Sequence, residues 1–199
     1  MTRPRRVAIV VHAIFPGDPR VRRQSDALID AGYEVDVVCL RQPGEPGEER
    51  VNGTRIVRLP VNRRFVGFAG HLAEYVAFTA MVAWRLAREH RRRRYDLVQV
   101  ATVPDFLSFA ALPERLSGVP LLLDLHEDMP EFFRDRFRHP LLLPVLPVVD
   151  AATRASASIA DRLITVHEPL RRLSIERGVA PERIDVVMNS ADGRLFDPS

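Results

Sequence analysis

The sequence predicts an α/β fold built on a doubly wound parallel sheet. Short apolar runs that suit buried strands alternate along the chain with longer amphipathic segments that suit helices. The apolar runs are mostly continuous, which is typical of parallel strands covered on both faces. Several helical segments are followed by a glycine, the residue most often found just past a helix end.

The chain opens with a β-α-β unit. Val7–Val11 is an apolar run that predicts the first strand, and the residues after it are predicted to form a loop. Asp18 followed by Pro19 suits a helix start, because aspartate caps free amides and proline has no amide to satisfy. Gly32 marks the end of that helix. Tyr33–Leu40 predicts a second strand, which a right-handed crossover places parallel to the first.

The loop between the first strand and the first helix argues against one class of site. A nicotinamide or flavin dinucleotide site needs three glycines in the pattern G-x-G-x-x-G, and this loop has only Gly17. A helix N-terminus behind a glycine can still bind phosphate through free backbone N–H groups.

The rest of the chain alternates in the same way. Residues 41–53 are rich in Pro, Gly and Glu and are predicted to be a linker. Phe65–His90 is the longest helical candidate, and ionisable side chains interrupt its apolar residues. That interruption favours a buried crossover helix over a transmembrane one, with a membrane-surface helix as the alternative. Further strands are predicted at Thr54–Leu59, Leu97–Ala101, Leu121–Leu125, Arg162–Val166 and Ile184–Met188, and further helices at Pro104–Leu116, Leu141–Ala160 and Glu168–Gly178.

The composition limits the classes of function that this chain could have. The 199 residues are 46% hydrophobic and 28% charged, as in an ordinary globular domain. All 29 basic residues are arginine, whose guanidinium suits phosphate and carboxylate; a coding bias towards arginine is the alternative explanation. A net charge of only +3, without interleaved aromatic and basic residues, argues against nucleic-acid binding. Cys39 is the only cysteine, so no internal disulfide can form, which fits a cytoplasmic location.

Polar side chains crowd the end of the strand predicted at Leu121–Leu125. Asp124, His126 and Glu127 lie at its carboxyl end, and Pro130 is predicted to turn the chain away. Ligands bind beyond the carboxyl ends of strands in open α/β sheets. These side chains are therefore predicted to lie at the mouth of a cleft. The alternative is that the two carboxylates cap the next segment and the histidine is a packed loop residue.

Four groups of motifs occur in one order along nearly the whole chain. They are Phe15-Pro16-Gly17-Asp18-Pro19-Arg20-Val21-Arg22-Arg23 with Ala31-Gly32-Tyr33-Glu34-Val35; Tyr95-Asp96-Leu97-Val98 with Pro104-Asp105; Gly118-Val119-Pro120 with Asp124-Leu125-His126-Glu127 and Pro130-Glu131; and Asp161-Arg162-Leu163-Ile164-Thr165-Val166 with Gly178-Val179 and Asn189-Ser190-Ala191-Asp192. In this order they resemble the N-terminal domain of family 4 retaining glycosyltransferases, which have the two-domain GT-B fold.

The resemblance implies a Rossmann-like sheet that forms one half of a GT-B architecture. Residues 1–188 would be the acceptor-side domain, and residues 189–199 would begin the interdomain linker. The family's C-terminal domain, which holds most of the nucleotide-sugar donor, is absent from this sequence. The chain is therefore expected to need a donor domain in cis or in trans, and to be inactive without one.

The resemblance also implies roles for residues on the loops of one sheet edge. They are His126 beside the transferred sugar, Gly17 at the donor diphosphate, Asp18, Arg20 and Asp105 at the acceptor, and Asp124 and Glu127 in support of His126. No metal and no cofactor is implied beyond the nucleotide-sugar co-substrate. The acceptor hydroxyl would belong to a carbohydrate, a lipid-linked molecule or a small molecule.

Other functions and simpler roles stay open. The chain could be half of a sugar-nucleotide epimerase, a class that shares the fold, or a non-catalytic subunit that pairs with a separate catalytic chain. Asp18 could serve only as an N-cap, and Gly17 could be needed only for the turn. The expected location is cytoplasmic, with weak peripheral contact at the inner membrane face through the arginine-flanked helix.

Overall fold

A computed structural model describes residues 3–61, 67–137 and 140–189 of the chain. Its strands are β1 (Arg6–Ile14), β2 (Glu34–Leu40), β3 (Glu48–Val51), β4 (Thr54–Leu59), β5 (Leu97–Ala101), β6 (Leu121–Leu125), β7 (Arg162–Thr165) and β8 (Ile184–Val186). Its α-helices are α1 (Pro19–Asp30), α2 (Gly67–Arg92), α3 (Leu112–Leu116), α4 (Met129–Arg136), α5 (Leu146–Ile159) and α6 (Glu168–Glu176). Short 3-10 helices cover Asp105–Ala111, Pro140–Val145 and Pro181–Arg183.

The described strands form one eight-stranded sheet in the order β3-β4-β2-β1-β5-β6-β7-β8. Neighbouring strands within it are parallel, except for the antiparallel pair β3 and β4. The strand order reverses between β1 and β5, because the chain builds outward from β1 in one direction and then in the other. In such sheets the ligand crevice lies beyond the carboxyl ends of the strands at this reversal. The prediction of a doubly wound α/β fold is confirmed.

Alternation along β1 explains the two layers of helices. Ala8 and Val10 face one side of the sheet and join a core cluster with Phe78, Val82 and Leu86 of α2. The four-residue spacing of those α2 side chains places them on one face of the helix. Val7, Ile9 and Val11 face the opposite side and pack against α1 in a second cluster.

The segment predicted to be a linker, residues 41–53, contains an edge strand. β3 pairs antiparallel with β4, and the connection is a two-residue turn in which Asn52 and Gly53 have φ of 50° and 86°. Asparagine and glycine tolerate positive φ best, and turns of this kind match the twist of the flanking strands. The Asn-Gly pair was thus a hairpin signal that the linker prediction overlooked.

Two further local predictions were wrong. β1 continues to Ile14, so His12 lies in the strand and not in a loop. Pro130 does not turn the chain away, because it lies in the first turn of α4, where its missing amide costs no hydrogen bond. The N-cap of α4 is Asp128, whose carboxylate accepts a 3.1 Å hydrogen bond from the amide of Glu131. The alternative of a cap by Asp124 or Glu127 is thereby excluded.

The predicted crossover helix Phe65–His90 is observed as α2 from Gly67 onward, and its first two residues lie outside the described residues. Within the described residues, a different stretch, Leu141–Ile159, is long and apolar enough to cross a membrane by length and composition alone. Only 11% of that stretch is buried. A single stretch of this kind does not establish a span, because helices of soluble proteins pass the same test.

A buried ion cluster holds the amino end of the sheet together. Arg6 on β1 contacts the carboxylates of Asp36 and Glu89, whose side chains are each 6% exposed. Arg55 brings a second guanidinium within 2.9 Å of Glu89, and Tyr95 donates a 2.8 Å hydrogen bond to Asp36. Burial alone would raise the pKa of Glu89, but the Arg55 guanidinium and its neighbours hold that pKa at about 2. Glu89 therefore stays ionised at neutral pH.

We expect Arg6→Met to lower the free energy of unfolding by roughly 3–5 kcal/mol, because it removes a partner from two buried carboxylates. Arg3→Met is the matched control, since the Arg3 side chain is 51% exposed in its pair with Asp96. The control should cost less than about 1 kcal/mol. Urea denaturation at neutral pH measures both changes, and equal losses would contradict a stabilising role for the cluster.

Candidate functional site

The register between β5 and β6 positions the predicted histidine. Ala101 on β5 pairs with Asp124 on β6, and the amide of Thr102 donates a 2.9 Å hydrogen bond to the Asp124 carbonyl. The two strands therefore end at the same level. Just beyond them, the backbone N–H of His126 donates to the Thr102 hydroxyl at 3.2 Å. His126 is thus anchored at the carboxyl edge of the sheet, as the sequence predicted.

A buried polar network surrounds the Asp124 carboxylate. Its Oδ1 lies 3.1 Å from Nε2 of His126. Its Oδ2 accepts hydrogen bonds from Gln24 at 2.7 Å and from Gln99 at 3.2 Å, and Gln99 also donates to the Gln24 side-chain oxygen at 2.7 Å. The network joins α1, β5 and β6. It holds Asp124 in a single orientation against the imidazole.

The His126 imidazole keeps free hydrogen-bonding capacity. Its side chain is 5% exposed, yet neither ring nitrogen has a well-aligned hydrogen bond among the described residues. A neutral imidazole has one donor and one acceptor nitrogen. The carboxylate of Asp124 favours the proton on Nε2, which leaves Nδ1 as an acceptor. Buried polar atoms without partners are costly, so the ring is suited to a ligand hydroxyl.

His126 opens onto a wide groove of about 390 Å³ at this edge of the sheet. Charged and apolar side chains both line the groove. Its lining includes Glu127, Asp128, Glu131, Asp135 and His167. Glu127 is exposed there, whereas Asp128 serves as the α4 cap and forms an ion pair with Arg177. Asp124, and not Glu127, is the carboxylate beside the imidazole.

The predicted donor loop follows β1, which β5 separates from β6 in the sheet. Gly17 and Asp18 line a shallow depression at its carboxyl end together with Arg20. The Asp18 carboxylate caps α1 by accepting from the amides of Arg20 and Val21 at 3.0 and 3.4 Å. Burial would raise the pKa of Asp18, but hydrogen bonds from Arg20 keep it below its usual value. Two amides that a phosphate could use are therefore already occupied.

Gly17 is not required by the backbone of this loop. A Cβ built there would lie 3.4 Å from the carbonyl oxygen of Ile14, an ordinary contact. The conformation of the loop therefore does not explain the glycine, and a turn-only role gains no support from the geometry.

Asp105 lies apart from Asp18 and Arg20, so the predicted acceptor residues occupy two places. It begins the 3-10 helix after β5 and is 2% exposed. Its Oδ2 accepts a 2.7 Å hydrogen bond from the Thr153 hydroxyl, while its Oδ1 has no hydrogen-bond partner among the described residues. Burial raises the pKa of this carboxyl to about 6, partly offset by the Thr153 hydrogen bond.

The sequence reasoning missed Gln24 and Gln99. Gln99 could have been recognised from the sequence, because it is a polar residue in the middle of the apolar run Leu97–Ala101. A buried strand tolerates such a side chain only when it has hydrogen-bond partners. Gln24 gave no such signal, because polar residues are common on the surface of a helix.

The raised pKa of Asp105 predicts a pH dependence of stability. The pKa lies at about 6 in the folded chain and at 3.8 ordinarily, so folding favours the protonated form. The stability that this proton contributes is fully present below about pH 4 and is lost as the pH rises through about 6. We expect Asp105→Asn to be more stable than the wild type at pH 7.5, by up to roughly 3 kcal/mol. The advantage should shrink as the pH falls to about 4.

Urea denaturation of both proteins at the two pH values measures this difference. The matched control is Asp30→Asn, which changes an exposed carboxyl on α1. Its difference from the wild type should stay nearly constant with pH. A constant difference for Asp105→Asn as well would contradict the raised pKa.

Known proteins resemble this chain in both sequence and fold. The 2-deoxystreptamine glucosyltransferase of Streptomyces kanamyceticus is 27% identical over 183 residues, which cover 87% of this chain and 46% of that protein. Sucrose-phosphate synthase from Thermosynechococcus elongatus superposes with a TM-score of 0.71 at 16% identity, over 96% of this chain and 50% of that chain. The catalytic domain of starch synthase IV from Arabidopsis thaliana gives 0.66 at 10% identity, over 99% and 54%.

The likeness to these structures shows the fold, which is one half of the GT-B architecture. The chain spans about half the length of the relative and of the structures that it matches. The family described as the glycosyl transferase 4-like domain matches residues 17–190, which include the network around Asp124 and His126. The chain belongs to this glycosyl transferase 4-like family.

Proposed function

We propose that this chain is the acceptor-binding half of a retaining, metal-independent glycosyltransferase. It would help transfer a sugar from a nucleotide-sugar donor to an acceptor hydroxyl. The observation that carries the proposal is the network of Gln24, Gln99 and Asp124 that holds His126 at the carboxyl edge of the sheet. A buried imidazole with unused hydrogen-bonding capacity, at the carboxyl edge of the sheet where β6 ends beside β5, is suited to a ligand.

The proposed chemistry assigns His126 a role in the transition state. Retaining transfer passes through an oxocarbenium-like centre while the diphosphate departs, and preorganised hydrogen bonds to the sugar lower that barrier. Nδ1 of His126 would accept from a sugar hydroxyl, and Asp124 would hold the ring in one tautomer and orientation. Asp124 is then a positioning residue, as is Gln99, which holds its carboxylate.

The donor side is proposed to come from a second domain, in cis or in trans. The chain covers 46% of the Streptomyces kanamyceticus protein, which leaves length for such a domain in a relative. The starch synthase IV structure contains ADP, which supports a nucleotide-sugar as the donor here. Gly17 would allow the diphosphate close to α1, although Asp18 already uses two of its amides.

The acceptor is proposed to contact Asp105 and the Arg20 side of the β1 loop. The relative is named for glucosyl transfer to 2-deoxystreptamine, which supports a hexose donor and a hydroxylated acceptor. Family membership favours transfer over epimerisation. A non-catalytic subunit that pairs with a catalytic chain could also span only half the length of the relative. Such a subunit would show no transfer when joined to a donor domain. A cytoplasmic location, with weak contact at the inner membrane face, remains a prediction.

We expect residues 1–199 alone to show no transfer, and the same chain joined to a donor domain to transfer a hexose with retention. In that complete enzyme, His126→Ala should lower turnover by roughly 10²–10³-fold, the order of loss seen when one preorganised hydrogen-bond donor to a transition state is removed. The loss should appear in kcat more than in KM if the contact strengthens in the transition state. Steady-state kinetics with one nucleotide-sugar and one acceptor measure both constants.

His90→Ala is the control for loss of a histidine, because His90 lies near the amino ends of the strands, beside Tyr95. It should leave kcat within a few-fold of the wild type once circular dichroism shows equal folding. Near-normal kcat in His126→Ala would make His126 a packing residue. Turnover by residues 1–199 alone would reject the half-enzyme proposal itself.

A further inference from the structure

A second cavity at the carboxyl edge of the sheet has almost wholly apolar walls. It has a volume of about 200 Å³ and lies among α2, α4, α5 and the 3-10 helix Asp105–Ala111. Its aromatic and aliphatic walls include Phe68, Tyr75, Phe106, Met129, Phe133 and Val149. It does not include His126, so it is separate from the groove described above.

The aromatic wall is held by contacts between helices. Phe68 on α2 meets Phe133 on α4 and Phe137 in edge-on arrangements, with ring centroids 5.6 and 5.4 Å apart. Phe133 and Phe137 lie 5.1 Å apart. Edge-on aromatic pairs of this kind are favourable beyond their buried area. The wall is therefore preformed, as is usual for small-molecule sites.

Asp105 is a polar residue in this apolar wall. Together with Thr153 it also lines an adjoining cavity of about 270 Å³, whose lining includes the charged residues Glu127 and Arg177. Asp105 is 2% exposed, and its Oδ1 lacks a hydrogen-bond partner among the described residues. One buried, unpaired carboxylate oxygen therefore lies between an apolar cavity and a cavity with charged residues in its lining. That juxtaposition matches a ligand with an apolar part and a hydroxyl.

The mouth of the cavity is apolar as well. Leu72 on α2 and Val148 on α5 both line it and are 42% and 67% exposed. Exposed large apolar side chains at a concave site are a signature of ligand binding.

We propose that this cavity binds the apolar part of the acceptor, an alkyl chain or an aryl ring, with the acceptor hydroxyl directed towards Asp105. The proposal rests on the proposed function and names the acceptor's chemical class. An apolar cavity of about 150 Å³ is known to take up benzene, so a volume of about 200 Å³ accommodates a ring or a short chain. Alkyl and aryl acceptors share the chemistry that the walls recognise.

The test uses the 199-residue chain and three probes with the same sugar head: methyl, hexyl and phenyl β-D-glucoside. Isothermal titration gives the affinity of each. We expect the hexyl glucoside, the phenyl glucoside or both to bind at least tenfold more tightly than the methyl glucoside, because about two buried methylenes already give that factor. Tighter binding of the hexyl glucoside identifies an alkyl acceptor, and tighter binding of the phenyl glucoside identifies an aryl acceptor. Equal affinity for all three probes would overturn the proposal.

Two pairs of variants locate the binding. Ala152→Phe fills the cavity, whereas Ala151→Phe makes the same change at an exposed site on α5 outside its lining. Leu72→Arg places a charge at the mouth, whereas Val76→Arg does so one turn further along α2, at an exposed residue outside the lining. Ala152→Phe and Leu72→Arg should each abolish the preference for hexyl or phenyl glucoside, and the controls should keep it.

Folding of each variant is checked by circular dichroism. If Ala152→Phe fails to fold, the Leu72→Arg and Val76→Arg pair still tests the cavity. Both residues are already exposed, so an arginine at either position should not prevent folding. An unchanged preference in Leu72→Arg would overturn the proposal. This binding assay needs no donor domain and no turnover. Failure of the cavity assignment is therefore seen here, whereas failure of the proposed function is seen in the transfer assay.

Discussion

The parallel pairing of β5 with β6 is the constraint on which the candidate site depends. Ala101 opposite Asp124 makes both strands end together, and the hydroxyl of the next residue, Thr102, then receives the His126 amide. Side chains alternate along a strand, so a one-residue slip would turn Gln99 and Asp124 to opposite faces. The polar network would be lost, and two polar side chains would lie unpaired in an apolar core.

Buried ionisable groups are paired differently at the two ends of the sheet. At the amino end, Arg6 and Arg55 are matched to Asp36 and Glu89, so the charges serve stability. At the carboxyl end, Asp105 retains an unpaired oxygen, and His126 retains ring nitrogens without aligned partners among the described residues. Unpaired buried polar atoms cost free energy unless a ligand completes them. The carboxyl end is also the edge at which ligands bind in open α/β sheets.

Most of the fold could be predicted from local sequence, because strand and helix patterns repeat over a few residues. Asp18 capping α1 and Leu121–Leu125 forming β6 are local properties of this kind. The β3 hairpin was missed although Asn52-Gly53 signalled it, since the surrounding Pro, Gly and Glu suggested a linker. Pro130 was misread because proline both ends extended segments and begins helices, and the Asp128 cap decides between them.

The sequence by itself determined the parallel α/β fold and the position of His126 and its neighbouring carboxylates at the end of a strand. Tertiary structure alone decided their partners. Gln24 and Asp124 are 100 residues apart in sequence yet 2.7 Å apart in space, and no local pattern encodes such a contact. The same holds for the apolar cavity, whose walls come from three α-helices and two 3-10 helices. Periodicity shows that a side chain faces inward, whereas only the packed elements decide what it meets there.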